Sequence, residues 1–467
     1  MKKRYTCLAL LFISFQAFAE LPPVVLSALQ SAGIPESDVA VYVQPVAEET
    51  AILSHNAGVS MNPASVMKLV TTNAALDLLS PTFRWKTEVY TTGNVVNGTL
   101  SGDLIIKGYG DPSFKSQDFW RLLMRLQQVG IKKITGNLII DKDYFDKDVA
   151  TEEVFDSEIW RAYNAPPSTF LVNGRNTSFR FSVVENVLTL DQEFDLPEIE
   201  IINNMKLVET GCTAWRNPMR YQVKVNGNRA VVTFSGTFSP SCGEKYLELS
   251  VFDDEKYAFF TFKKLWRQLG GQFNGALKVS ETPDAAVKVL EQTSDPLGYV
   301  VRDINKWSNN LMARQLLLTI GAEQVGAPAT TGKGEAAIKD WLFNKGLLFN
   351  ELVVHNGSGL SREARITAEH LGQMLVSAYR GPTMPEFMAS MPILSKDGTV
   401  MGRLKNGQSN GRVHLKTGSL NGVSAIAGYV LDENQHRHAL VMLVNHAKAG
   451  ESKAAQDALI EWVHQQP

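Results

Sequence analysis

The sequence predicts an α/β fold assembled from both ends of the chain, with a large β-rich segment nested inside it. Three observations lead there. The start of the chain carries a helical pattern and two short strand patterns, and its end carries three strand patterns and a helix. The long middle changes texture to short alternating runs punctuated by Gly, Asn and Asp. With 467 residues the chain exceeds what one hydrophobic core usually serves, and neither an internal repeat nor a low-complexity linker divides it. Nested domains fit this better than beads on a string.

Lys2, Lys3 and Arg4 precede an apolar run from Tyr5 to Phe15, and Ala17 and Ala19 supply small residues for cleavage. Residues 1–19 therefore read as a secretory signal, with Glu20 as the first mature residue. That run is too short to span a bilayer, and no later stretch reaches about 18 uninterrupted apolar residues. An exported protein with no transmembrane segment is expected, which leaves peripheral membrane association open. Next come a helix over 23–32, strands over 38–43 and 51–55, and a helix with Pro63 in its first turn.

From about Trp85 to Val279 the chain reads as mostly β, in runs such as "YQVKVNGNRAVVTFSG", interrupted by a helix over 118–129. Helical patterns return over 296–318, 334–345 and 367–378. Three strands follow, with a hairpin turn over 432–435, and a last helix covers 452–464.

Cleavage would remove Cys7 and leave Cys212 and Cys242 as an even pair in an oxidising compartment. A disulfide is then expected rather than a metal site or two buried thiols. Removal of the three signal cations shifts the formal charge from -2 to -5, since residues 1–19 contain no acid. A mildly acidic surface argues against nucleic acid as the main partner. His436 and His438 share one side of a strand without a nearby third ligand, so surface positions are expected and no metal site. No Gly-x-Ser-x-Gly elbow is present, and the glycines of "KGYGDPS" lack the Gly-Lys-Ser/Thr ending of a P-loop.

The chemistry starts at "MNPASVMKLVTTNAALDLL", residues 61–79, where Ser65 and Lys68 are three apart and share a helical face. Alone this decides nothing, because residue usage predicts on the order of two Ser-x-x-Lys matches in such a chain. Two further signals follow in order: Ser308-Asn309-Asn310 in a break between helices, and Lys416-Thr417-Gly418 ending a strand. The ordered series marks serine enzymes that act on penicillin or on D-alanyl peptides. Ser65 needs a base, and Lys68 serves if burial and a nearby cation such as Lys416 keep its amine neutral.

With these motifs, and with "NPASVMKLVTTNAAL", "IKGYGDPSF", "GNLIIDKDYFD", "YNAPPS", "NGSGLSR" and "LKTGSLNGVSAIAGYV", nearly the whole mature chain resembles the class C low-molecular-mass penicillin-binding proteins of the penicillin-binding protein 4 type. The long gap between the first two motifs fits as well. One departure is Asn356, where the family more often has Asp.

The resemblance implies a β-lactamase/transpeptidase-like domain, an antiparallel sheet flanked by helices, formed by 20–85 and 286–467. The insertion would form two smaller domains, 86–100 with 170–285, and 101–169. The implied activity is that of a periplasmic D-alanyl-D-alanine carboxypeptidase and endopeptidase. It would act on peptidoglycan stem peptides through an acyl-enzyme on Ser65, be inhibited by β-lactams, and need no cofactor. Ser308 would relay a proton to the leaving amine and Asn310 would bind the substrate amide. Lys416, Thr417 and Ser419 would receive the terminal carboxylate, and the backbone N–H groups of Ser65 and Ser419 would form the oxyanion hole. Gly418 completes the strand motif. Glu158, Tyr163, Arg362 and Asn421 are the residues expected at a diaminopimelate side chain. A β-lactamase is the alternative, disfavoured by the insertion. A non-catalytic wall-binding protein is disfavoured by the complete set of motifs.

Overall fold

The computed structural model describes residues 20–466 apart from 152, 153 and 213. The expected signal over 1–19, with Cys7, lies outside the described residues. Five antiparallel strands form the central sheet, in the order Leu53–His55, Val39–Pro45, Arg437–Asn445, Val423–Leu431 and Val413–Leu420. Two strands come from the start of the chain and three from its end, so the sheet forms only when the two ends meet.

Both faces of this sheet are covered. Val39, Val41, Val43, Leu440, Met442 and Val444 join an apolar cluster with helices Pro23–Ala32 and Lys453–His464. Ala40, Tyr42, Ala439, Val441 and Leu443 point the other way, into a cluster with helices Lys68–Leu79, Leu297–Trp307, Asn310–Gln324 and Ala368–Tyr379. Burial on both sides is why the strand sequence "ALVMLV" runs apolar without alternation. Lys68–Leu79 and Asn310–Gln324 pack against each other, and both are buried around most of their circumference. Helices with that environment carry their polar side chains into a dry interior.

Among its described residues the insertion contains four sheets and two long helices, Ser116–Gln128 and Asp254–Gln268, around one continuous apolar cluster. Its pairing crosses the expected boundaries. Lys86–Thr91 pairs with Leu104–Gly108 on one side and Val287–Thr293 on the other, and Leu138–Asp141 pairs with Leu277–Val279. Cys212 and Cys242 form a disulfide with their Cα atoms 4.8 Å apart.

Several sequence expectations are corrected. Asp254–Gln268 is an α-helix where only β-structure was expected. Its "FFTF" run favours strands by composition, but the Asp253 side chain caps the first turn by accepting from Lys256 N, and Ala258, Phe262, Leu265 and Trp266 form a buried stripe. Met384–Ser390 is a further short helix. His438 is buried rather than on the surface, with Nε2 2.9 Å from Asp432 Oδ2. The helical pattern over 296–318 is two helices separated at Ser308, where the sequence placed a break. Among the described residues no helix is long and apolar enough to cross a membrane.

Candidate active site

Ser65 lies on a 3-10 turn, Ala64–Met67, that runs directly into the helix Lys68–Leu79. The serine caps nothing, and Pro63 sits just before the turn rather than inside the helix. Three hydrogen bonds of Asn62 hold this turn. Asn62 Oδ1 accepts from Ala64 N at 2.8 Å, Asn62 Nδ2 donates to Ser361 O at 2.8 Å, and Asn62 N donates to Asn445 Oδ1 at 2.9 Å. Ala64 adopts φ 46°, a left-handed conformation that L-residues seldom occupy without such support. Gly359 presses against it, and a Cβ there would lie 1.9 Å from Ala64 O.

One helical turn on, the fully buried Lys68 Nζ lies 2.9 Å from Ser65 Oγ, 2.6 Å from Asn310 Oδ1 and 2.6 Å from Ser358 O. The last two atoms can only accept. A neutral amine has two N–H bonds for them and one lone pair left for the Ser65 hydroxyl. The electrostatics favour that neutral form: burial, then the charges of Lys416 and Arg314, hold the Lys68 pKa well below the ordinary lysine value.

Ser308 terminates the helix Leu297–Trp307 in a left-handed conformation, φ 57°, and Asn309 starts the next helix by accepting from Met312 N. The break turns Ser308 toward the sheet, where Lys416 Nζ donates to its Oγ at 2.8 Å and to Thr417 O at 2.7 Å. Lys416 is fully buried, and desolvation lowers its pKa from 10.5 to about 7. Its motif lies inside the strand Val413–Leu420 rather than at its end. Gly418 has a steric reason: a Cβ there would lie 2.6 Å from Pro63 O and 3.1 Å from Ser65 N. Only a glycine lets the strand approach the backbone that carries the serine.

Ser65, Lys68, Asn310, Ser308 and Lys416, from distant parts of the chain, thus meet in two short hydrogen-bonded groups. The family model of the D-Ala-D-Ala carboxypeptidase 3 (S13) family matches residues 24–466. The chain belongs to this family. As an S13 chain it is 26% identical to the D-alanyl-D-alanine carboxypeptidase DacB of Haemophilus influenzae, over 92% of this chain and 90% of that one. It is also 26% identical to a D-alanyl-D-alanine carboxypeptidase of Actinomadura sp. strain R39, over 90% of this chain and 80% of that one. In fold it is similar to the crystal structure of penicillin binding protein 4 from H. influenzae, with a TM-score of 0.79 at 23% identity over 95% of this chain and 99% of that one.

The remaining nominated residues are gathered less completely. Arg362 Nη1 donates to Asn421 O at 2.7 Å, and the guanidinium lies 4.9 Å from the Phe155 ring centroid. Tyr163 donates to Asp156 Oδ2 at 3.0 Å, whereas the Glu158 carboxylate accepts from Tyr221 at 2.8 Å. Phe155 and Asp156 were missed by sequence reasoning, although they precede Glu158 in the loop already singled out. Thr399, whose hydroxyl is 2.9 Å from that of Thr417, carried no motif signal. Neither did the Ser358 carbonyl. Asn356 holds that segment: its Oδ1 accepts from Ser358 N and Oγ, and its Nδ2 donates to Leu360 O at 3.1 Å, a bond an aspartate could not make. Among the described residues no group of three or more His, Cys, Asp or Glu is arranged to hold a metal.

Proposed function

We propose that the protein is a serine D,D-peptidase that cleaves the terminal D-Ala-D-Ala bond of peptidoglycan stem peptides and D-Ala-diaminopimelate cross-bridges. The observation that carries this reading is the buried Lys68 amine, 2.9 Å from Ser65 Oγ, with its two N–H bonds directed to Asn310 and Ser358. Neutral Lys68 takes the Ser65 proton as the oxygen attacks the carbonyl of the penultimate D-Ala. The backbone N–H groups of Ser65 and Ser419 receive the oxyanion. The Ser65 proton then passes from Lys68 by way of Ser308, held by Lys416, to the leaving amine, which leaves Lys68 neutral again, and Thr417, Ser419 and the Lys416 ammonium hold the terminal carboxylate. Water then hydrolyses the ester, with Lys68 again as base.

A diaminopimelate side chain is zwitterionic, so its pocket needs a cation and an anion. Arg362 and Asn421 meet at one edge, and the loop carrying Phe155, Asp156, Glu158 and Tyr163 reaches Arg362 through its Phe155 ring. We assign that rim to diaminopimelate. The H. influenzae relative has been solved with a bound β-lactam, at 23% identity and a TM-score of 0.75, and β-lactams would be covalent inhibitors here. The apolar run behind Lys2, Lys3 and Arg4 supports export, and the periplasm is the compartment where such substrates occur. Purified protein should release D-Ala from a stem pentapeptide, and Ser65→Ala should lose this activity. A variant that retained it would overturn the assignment.

A further inference from the structure

A groove of about 980 Å³ opens beside Ser308 and Asn310 and runs between the catalytic helices and the insertion. Neither Ser65 nor Lys416 lines it. It therefore begins at the group assigned to protonate the leaving amine and leads away from the nucleophile. A single D-alanine would leave most of this space empty.

One wall is the helix Leu297–Trp307, where Tyr299, Asp303 and Trp307 recur every four residues along one side. Tyr299 and Trp307 are each 66% exposed, so the wall presents two flat apolar rings to solvent. The other wall belongs to the insertion and carries Arg161 and Arg216. Each guanidinium lies against an aromatic ring, Arg161 at 5.5 Å from the Tyr163 centroid and Arg216 at 5.1 Å from that of Trp215. Among the described residues neither forms an ion pair. They are close enough that Arg161, after burial, lowers the pKa of Arg216, with Glu248 opposing this. Glu193 and Glu248 line the same wall and Arg216 Nη2 donates to Tyr246 O at 3.4 Å, yet among the described residues neither guanidinium is paired with a carboxylate, so both keep N–H groups that can receive a planar anion.

We propose that this groove holds the leaving peptide strand of a cross-linked substrate, and that Arg161 and Arg216 bind a carboxylate of that strand remote from the scissile amide. The proposal rests on the peptidase reading above and adds a determinant for cross-links over free stem peptides. Bonding two guanidiniums to one carboxylate gives orientation as well as affinity, and Tyr299 and Trp307 would cover the strand's apolar stretches.

The test compares three substrates: a monomeric stem peptide ending in D-Ala-D-Ala, a cross-linked dimer, and the same dimer with the remote carboxylates of its leaving strand converted to carboxamides. The wild type should bind the carboxylate dimer roughly tenfold better than the carboxamide dimer, read as KM. Arg161→Gln/Arg216→Gln should raise KM for the carboxylate dimer to that of the carboxamide dimer. Penicillin acylation by the double variant, and turnover of the monomer by Arg216→Gln alone, which leaves the Arg161–Tyr163 contact in place, should stay within about twofold of wild type, the scatter expected of surface changes. Equal KM values for the two dimers in the wild type would overturn the proposal, as would a loss shared by the monomer. If the wild type cleaved the monomer normally, either outcome would leave the peptidase reading intact. Failure on all three substrates would overturn both.

Discussion

Lys416 is a buried cation whose removal should stabilise the fold while abolishing activity. Burial lowers its pKa from 10.5 to about 7. At about 1.4 kcal/mol per pH unit, keeping the amine charged below pH 7 costs the folded state roughly 5 kcal/mol. The sign follows from the protons bound. The unfolded chain holds this proton up to about pH 10.5 and the folded chain only to about pH 7, so wild-type stability rises with pH across that window. Lys416→Met deletes the charge at similar length. It also deletes the bonds to Ser308 Oγ and Thr417 O, worth about 1 kcal/mol each, and that loss is the same at every pH. The stability of the variant relative to wild type should therefore be greater at pH 6 than at pH 9 by roughly 2–3 kcal/mol. Denaturant unfolding of both proteins at the two pH values measures this; removing the Lys416 charge also relieves the lowered Lys68 pKa, which acts in the same direction by favouring the variant at the lower pH. A difference that is unchanged between pH 6 and pH 9 would refute the idea that burial holds this amine against its charge.

Gly418→Ala places a methyl 2.6 Å from Pro63 O and must push the strand off the serine turn, so penicillin acylation should slow by about 100-fold with the fold retained by circular dichroism. Replacing Cys212 and Cys242 by serine opens a loop spanning a separation of 30 residues and should lower the stability of the insertion by about 3 kcal/mol, with acylation of Ser65 unchanged. Thiol titration of the denatured, unreduced mature protein should find no free thiol. Arg362→Ala should lose cleavage of diaminopimelate-containing peptides while penicillin, which lacks that side chain, still reacts; equal losses would remove Arg362 from the pocket.

How much of this was legible before the structure depended on whether a function needs a side chain of a particular type. The contact of Ser65 with Lys68 was visible because residues three apart share a helical face, and the gathering of Ser308, Asn310 and Lys416 beside them because their order and elements form a recognisable series. The sheet made from both ends was visible because its strands carry long apolar runs. Ser358 was not visible, since it serves Lys68 through a backbone carbonyl that any residue could offer. Thr399 meets Thr417 only through the packing of its loop on the strand, and Asp156 meets Tyr163 within a loop that follows no spacing rule. The helix Asp254–Gln268 was hidden because aromatic residues favour strands locally, and its buried stripe prevailed once there was a core to pack against. Gly418 could be seen as part of a motif, but the contact with Pro63 O that requires a glycine could not.

The mass of the intact mature protein after incubation with benzylpenicillin, followed by a peptide map, puts the pairing of Ser65 with Lys68 to the most direct test. One penicilloyl group should be added per chain, on the peptide containing Ser65, and Ser65→Ala should remain unmodified. Lys68→Ala should keep its fold and acylate at least about 100-fold more slowly, the contribution expected of a positioned general base. An adduct that persisted in Ser65→Ala, or a Lys68→Ala protein that acylated at the wild-type rate, would show that this serine and lysine are not the nucleophile and its base.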